Sequence, residues 1–284
     1  MAKERVYTDF DGTITDTKLE AAPFIEAYYQ EMSRKTGINA YGLREQVAVK
    51  EQLILDNPQS YGWEVPYNGR QVISASATAG PYILCQIAAR LYLTDLVDQG
   101  NSPIKSPSEA KELLRYLFQY SYPFTGTAFR DGAKEYLEEL SVASNLSIAT
   151  SSDSAKVAKK LGHLTLKTDI NIVGGIKKHF LDPSFDMIPE IATLPGLARP
   201  IYLRRREYFN ALNTGDEGGS VACVIGDIYE LDLSLPEKLG VFTCLLTSNA
   251  PAHEKQYYLD HPNRYSADSL SELVPRIKER LNKH

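Results

Sequence analysis

Asp9-Phe10-Asp11-Gly12-Thr13-Ile14, preceded by the apolar run Val6-Tyr7-Thr8, is the stretch on which the reading of this chain turns. An apolar run that ends in two acids and a glycine reads as a buried strand giving way to a turn, so that both carboxylates point into one pocket at the strand's end. Two buried acids are costly unless a cation neutralises them, and Mg²⁺ favours one or two carboxylates together with substrate phosphate oxygens. The arrangement suits phosphoryl transfer. The alternative, without chemistry, is that Asp9 merely ends a strand and Asp11 shapes an Asx turn with Gly12.

Working outward, short apolar runs recur at 5–8, 146–149, 170–173, 221–225 and 241–246, with helix-like segments between the later ones. Strands alternating with helices predict a mostly parallel α/β sheet covered on both faces. Ligands of such sheets bind beyond the carboxyl ends of the strands, where the first, second and fourth runs deliver Asp9, Thr150 and Asp227. The interval between the first two runs reads as helices over 19–36, 43–55, 86–97 and 108–120, the first carrying Phe24, Ile25, Tyr28, Tyr29 and Met32 on overlapping turns. Loop-like edges at Asp16-Thr17-Lys18 and Tyr122-Pro123-Phe124-Thr125-Gly126 mark it as an insert joined by two linkers and able to rock as a lid. The expected division is a core of residues 1–17 and 130–284 and a helical cap of residues 18–129. Residues 57–80, rich in Gly, Pro, Ser and Tyr, read as an irregular loop or shorter helices. The uncharged stretch 71–89 contains Ser74, Ser76, Thr78 and Gln86, too polar for a membrane span, and reads as a buried helix or helix pair.

At 284 residues the chain can bury one large core or two smaller ones. Its net charge of −5 argues against nucleic acid or an anionic membrane as the principal partner, so any phosphate site must be built locally. Cys85, Cys223 and Cys244 are too few and too scattered for a disulfide framework or a Cys-x-x-Cys metal site. The start Met1-Ala2-Lys3-Glu4-Arg5 leads into a strand rather than an apolar leader, and the expectation is a cytoplasmic protein with reduced thiols.

Three further segments could complete a phosphate site. Asp227 ends the run Val224-Ile225-Gly226, and Asp232 lies about a helical turn beyond; together they could help hold Mg²⁺, directly and through water. Thr150 could offer its hydroxyl to a phosphate beside a helix N-terminus, or could simply end a strand before an N-cap, for which Ser151, Ser152 and Asp153 all qualify. A dianionic phosphate beside Asp9 also needs a basic side chain. Arg199-Pro200 and Arg204-Arg205-Arg206, before a helix at 208–212, offer candidates, although at least one of the adjacent arginines belongs to a solvated helix face.

The strand followed by Asp9-Phe10-Asp11-Gly12-Thr13 resembles the first motif of the haloacid dehalogenase-like (HAD) phosphohydrolases. Thr150 stands where that family carries the Ser or Thr of its second motif. Gly226-Asp227-Ile228-Tyr229-Glu230-Leu231-Asp232 with Lys238-Leu239-Gly240-Val241 resembles the fourth motif and its helix. Residues 129–137 and 265–273 resemble the helix after the lid and the closing strand and helix, whereas the frequent Lys-Pro form of the third motif is missing. The resemblance implies a Rossmann-like parallel sheet with helices on both faces, a C1-type helical cap and a Mg²⁺-dependent phosphohydrolase acting on a small phosphorylated metabolite. It would make Asp9 the nucleophile and Asp11 the acid/base. Thr150, Ser151 and Arg204 or Arg205, with Arg199 third in order, would contact phosphate, and Asp9, Asp11, Asp227 and Asp232 would form the metal site. A phosphomutase or a non-catalytic phosphate-binding member of the family are the alternatives. Asp11 argues against a dehalogenase, which has no leaving oxygen to protonate.

Overall fold

The computed structural model describes residues 3–100, 103–213, 220–259 and 261–283; Met1 and Ala2, where the leader reading begins, lie outside the described residues. In chain order the strands are β1 (Arg5–Thr8), β2 (Gly62–Tyr67), β3 (Arg70–Ser76), β4 (Asn145–Ala149), β5 (Asn171–Val173), β6 (Ile191–Ala192), β7 (Ile201–Tyr202), β8 (Val221–Gly226), β9 (Phe242–Leu246) and β10 (Arg264–Ala267). Six of them form one parallel sheet in the order β10-β9-β8-β1-β4-β5, so all six carboxyl ends lie along the same edge. This is the parallel α/β sheet expected from the alternating runs, in the Rossmann-like form that the resemblance implies.

The strands are apolar on both faces because both are covered. Val6, Ile148, Cys223, Ile225, Cys244 and Leu246 point into one core. Their alternates Tyr7, Ala149, Val224 and Leu245 point into the other. Tyr136, Leu137 and Leu140 of the helix Ala133–Ala143 and Leu273, Val274 and Ile277 of the helix Leu270–Leu281 close the first. Tyr208, Ala211 and Leu212 of the helix Arg206–Asn213 join the second. Burying each large apolar side chain here contributes roughly 1.5–3 kcal/mol.

The residues fall into two compact units, one comprising Met1–Asp16, Glu64–Ala75 and Phe129–His284, the other Thr17–Trp63 and Ser76–Ala128. The second is helical, with Thr17–Thr36, Ala40–Asp56, Pro81–Asp98 and Pro107–Ser121 sharing a core that includes Phe24, Tyr28, Met32, Leu43, Val47, Cys85, Leu93 and Leu117. Ser106 caps the last of these helices by accepting from the Glu109 N–H at 3.2 Å. Among the described residues no helix is long and apolar enough to cross a membrane.

The segment read as a loop or short helices is instead the hairpin β2–β3, and the stretch 71–89 divides between β3 and the helix Pro81–Asp98. Residues 64–75 belong to the sheet-bearing unit, so the chain passes between the units four times rather than twice. The reason is burial: Val65, Tyr67 and Val72 make a small apolar cluster with Leu181 and Tyr202 of the core unit. Asn68 and Gly69 turn the hairpin with φ of 50° and 76°, the pair of positive values that a type I′ turn demands. A Cβ at Gly69 would touch nothing. Gly69→Ala should therefore cost about 1 kcal/mol through backbone strain alone, measured as a lower urea midpoint at unchanged slope.

Candidate active site

At the carboxyl end of β1 the Asp9 N–H still bonds the Ile225 carbonyl of β8 at 2.9 Å, which fixes the Asp9 side chain beside the end of β8. The chain then turns sharply, with the Ile14 and Thr15 N–H groups both bonded to the Phe10 carbonyl at 2.9 and 3.1 Å. Gly12 is required twice over: its φ is +92°, and a Cβ there would lie 2.1 Å from Asp227 Oδ2. Gly226 plays a matching part, since a Cβ on it would fall 2.4 Å from that of Asp232. The two glycines let the backbone approach within reach of the carboxylates.

Asp9, Asp227 and Asp232 are buried, and each offers a carboxylate oxygen within 4.8 Å of the others. Asp227 follows β8 directly, and its Oδ1 accepts from Thr13 Oγ1 at 3.1 Å. Asp232 is brought round by a short wide turn over Tyr229–Leu233, where its Oδ2 accepts from the Ile228 N–H at 3.1 Å and its carbonyl from the Tyr208 hydroxyl at 2.7 Å. An all-oxygen donor set of this kind matches Mg²⁺.

The Asp11 side chain is not in this group. Its Oδ2 accepts from Thr150 Oγ1 at 3.2 Å and from Ser152 Oγ at 2.6 Å, which turns the carboxylate toward β4. Ser151, expected as a phosphate contact, is exposed, and Ser152 is the serine that reaches the site. Thr150 is fully buried and tied by its N–H to the Val173 carbonyl at 3.0 Å.

The basic residue is also different from the arginines expected. Lys178, in the loop after β5, donates from Nζ to Asp9 Oδ1 at 2.6 Å and to Asp232 Oδ1 at 2.8 Å, with 3% of its side chain exposed. Arg204 donates to the Pro183 carbonyl at 2.8 Å, and Arg199 pairs with Glu230 at 2.7 Å. Arg205 stands before the helix Arg206–Asn213, where the resemblance puts a cation, yet it is fully buried and its guanidinium faces the Lys178 carbonyl and Ser74. The stretch Ile172-Val173-Gly174-Gly175-Ile176-Lys177-Lys178, a strand end followed by two glycines and a lysine pair, was the sequence signal for a basic side chain at this position.

Burial pushes the Asp9 carboxyl up to about 7, with Lys178 opposing and Asp232 and Asp11 adding to the rise. Asp227 is raised well above the ordinary carboxylate value by burial, then by Asp232 and Asp9. Burial also disfavours the Lys178 ammonium, but Asp232 and Asp9 more than offset it and its pKa lies above the usual lysine value. If all are ionised, three carboxylates face one ammonium, leaving a charge of −2 that one Mg²⁺ would cancel. Asp9, Asp227 and Asp232 are therefore the residues that would hold it.

The architecture is that of the haloacid dehalogenase-like hydrolases. YfnB from Bacillus subtilis, named as a HAD-hydrolase and bound to magnesium, aligns over 98% of this chain and 99% of its own at 15% identity, with a TM-score of 0.54. A haloacid dehalogenase-like family hydrolase from Streptococcus pneumoniae aligns over 96% and 98% at 16% identity and a TM-score of 0.50. A 2-haloacid dehalogenase from Pseudomonas syringae aligns over 99% of each chain at 17% identity and a TM-score of 0.46. No protein-family model and no curated protein sequence matches the chain.

Behind Asp232, Glu254 is buried with Oε2 unpartnered. Burial, reinforced by Glu230, pushes its carboxyl from 4.5 to about 8. A folded pKa above the unfolded one means that the folded state holds the proton more tightly, so this contribution is full below pH 4.5 and is lost as pH rises through about 8. Glu254→Gln removes the titration. The variant should match the wild type near pH 4.5 and exceed its unfolding free energy by a few kcal/mol near pH 8, measured by urea unfolding across that range.

Proposed function

We propose that the protein is a Mg²⁺-dependent phosphohydrolase that removes phosphate from a small phosphorylated metabolite through an aspartyl-phosphate on Asp9. The observation that carries this reading is the convergence of Asp9, Asp227, Asp232 and Lys178 at the carboxyl ends of the strands, with a second acid, Asp11, held outside the cluster. When bound, Mg²⁺ supplies the positive charge that lets an anionic phosphate approach an anionic carboxylate. Lys178 favours the ionised form of Asp9 and orients it, and its ammonium offsets charge on the transferring group. An Asp9 oxygen forms the bond to phosphorus as the ester P–O bond breaks, and Asp11 gives a proton to the leaving oxygen. Water then attacks the phosphorus, Asp11 takes its proton, and the bond to Asp9 breaks to release inorganic phosphate.

Two features separate this from carbon–halogen hydrolysis and from mere phosphate binding. A leaving alkoxide needs a proton and a halide does not, and Asp11 is poised by two hydroxyl donors in a way that binding alone would not require. The net charge of −5 and the absence, among the described residues, of a helix fit to span a membrane favour a small soluble substrate over nucleic acid or lipid. Three free, buried cysteines agree with a cytoplasmic setting. With a panel of phosphate monoesters, inorganic phosphate should appear with Mg²⁺ and cease with EDTA. Asp9→Asn should lower turnover by about a thousandfold or more while the protein melts no earlier than wild type, and unchanged turnover would remove Asp9 from the mechanism.

A further inference from the structure

Among the described residues Arg205 is the largest side chain buried without exposure, and the functional reading above gives it no chemical task. Its partners are informative. One terminal nitrogen, Nη1, donates to the Lys178 carbonyl and, at 3.1 Å, to Ser74 Oγ; the other, Nη2, donates to the Ser74 carbonyl at 2.8 Å. Ser74 Oγ–H in turn donates to the His179 carbonyl at 2.6 Å. One guanidinium and one hydroxyl thus hold two successive carbonyls of the loop that carries Lys178, and they tie both to β3.

The loop is otherwise anchored at its two ends, and at the 178 and 179 carbonyls these are the contacts that hold it. β5 is only three residues long, and Gly174 and Gly175 follow it, the latter at φ +70°. The loop's other bonds run from Gly174 N–H to Ser154 Oγ at 3.1 Å, from Gly175 N–H to the Ser152 carbonyl at 2.8 Å, from Ile176 N–H to the Thr150 carbonyl at 3.0 Å, from Lys178 N–H to the Ile176 carbonyl at 2.8 Å, from Phe180 N–H to the Lys177 carbonyl at 2.8 Å and from Asp182 N–H to the Arg204 carbonyl at 2.8 Å, none of them at the 178 or 179 carbonyl. Lys177, one position away, is exposed and lies 3.8 Å from Glu207, so a one-residue slip of this backbone would exchange which lysine faces the acids. The charge-assisted contact at the 178 carbonyl and the Ser74 hydroxyl at the 179 carbonyl oppose that slip.

We propose that Arg205 is a positioning residue: with Ser74 as its anchor on the β2–β3 hairpin, it fastens the loop so that Lys178, rather than Lys177, meets Asp9 and Asp232. The catalytic part of this statement rests on the phosphohydrolase reading; the structural part does not. Arg205→Lys keeps the charge but has no planar fork to span three acceptors, and Ser74→Ala removes the hydroxyl link while leaving the Ser74 carbonyl in place.

The test uses the full chain, with p-nitrophenyl phosphate and Mg²⁺ as the activity probe and amide hydrogen exchange of residues 174–182 as a readout independent of turnover. Arg205→Lys should lower kcat about tenfold or more, leave the Mg²⁺ half-saturation within about twofold, and speed exchange across 174–182 while β1 and β8 keep theirs. Ser74→Ala should lower kcat by roughly two- to fivefold, and the double variant should fall no further than Arg205→Lys alone, because the two act as one unit. Wild-type kcat in Arg205→Lys, or exchange that rises equally throughout the sheet, overturns the proposal. If Arg205→Lys does not fold, Ser74→Ala alone decides, unchanged exchange at 174–182 overturning it. If the wild type hydrolyses no phosphate ester, the functional reading falls by itself, and exchange in the two variants still decides the clamp.

Discussion

An excess of negative charge, buried where β1 and β8 end, is the constraint around which the core unit is organised. Asp9, Asp227 and Asp232 are brought together out of water with one ammonium, Lys178, between two of them. Such a cluster is destabilising by itself, because desolvation of each ion exceeds what one cation returns. The raised carboxyls of Asp9 and Asp227 express that imbalance. A protein keeps such a liability where the missing positive charge arrives with function; on the reading proposed above, a divalent cation would bring it.

The sheet makes the convergence possible. Parallel pairing puts the ends of β1, β4, β5 and β8 on one edge, so residues far apart in the chain meet without long loops. Glycines at 12 and 226 then clear the space that a Cβ would occupy. Asp11 is drawn aside by Thr150 and Ser152, which leaves two acids of the same short motif in different surroundings: Asp9 desolvated beside an ammonium, Asp11 bound by hydroxyls. Different surroundings are what different roles require.

What the sequence made legible was local or doubly buried. The five apolar runs marked strands because a strand covered on both faces has no polar positions to blur it, and Asp9, Asp227 and Asp232 were placed by following such strands to their ends. The hairpin escaped because Gly62 and Pro66 argue against a strand and the burial of β2 does not alternate cleanly, although Asn68-Gly69 was a turn signal in plain view. Lys178 escaped for a different reason. Which of two adjacent lysines turns inward depends on a loop whose carbonyls are held by Arg205 and Ser74, and the Ser74 contacts join residues more than a hundred positions apart. Arg205 sits at the backbone position expected for the cation, yet its head group serves the loop that delivers another one.

Calorimetric titration of Mg²⁺ into the wild type and into Asp227→Asn tests the central claim most directly, since it reads the charge deficit without any substrate. The account predicts one site in the wild type and an affinity weaker by about tenfold or more in the variant. Equal affinities, or no binding to the wild type, would contradict it.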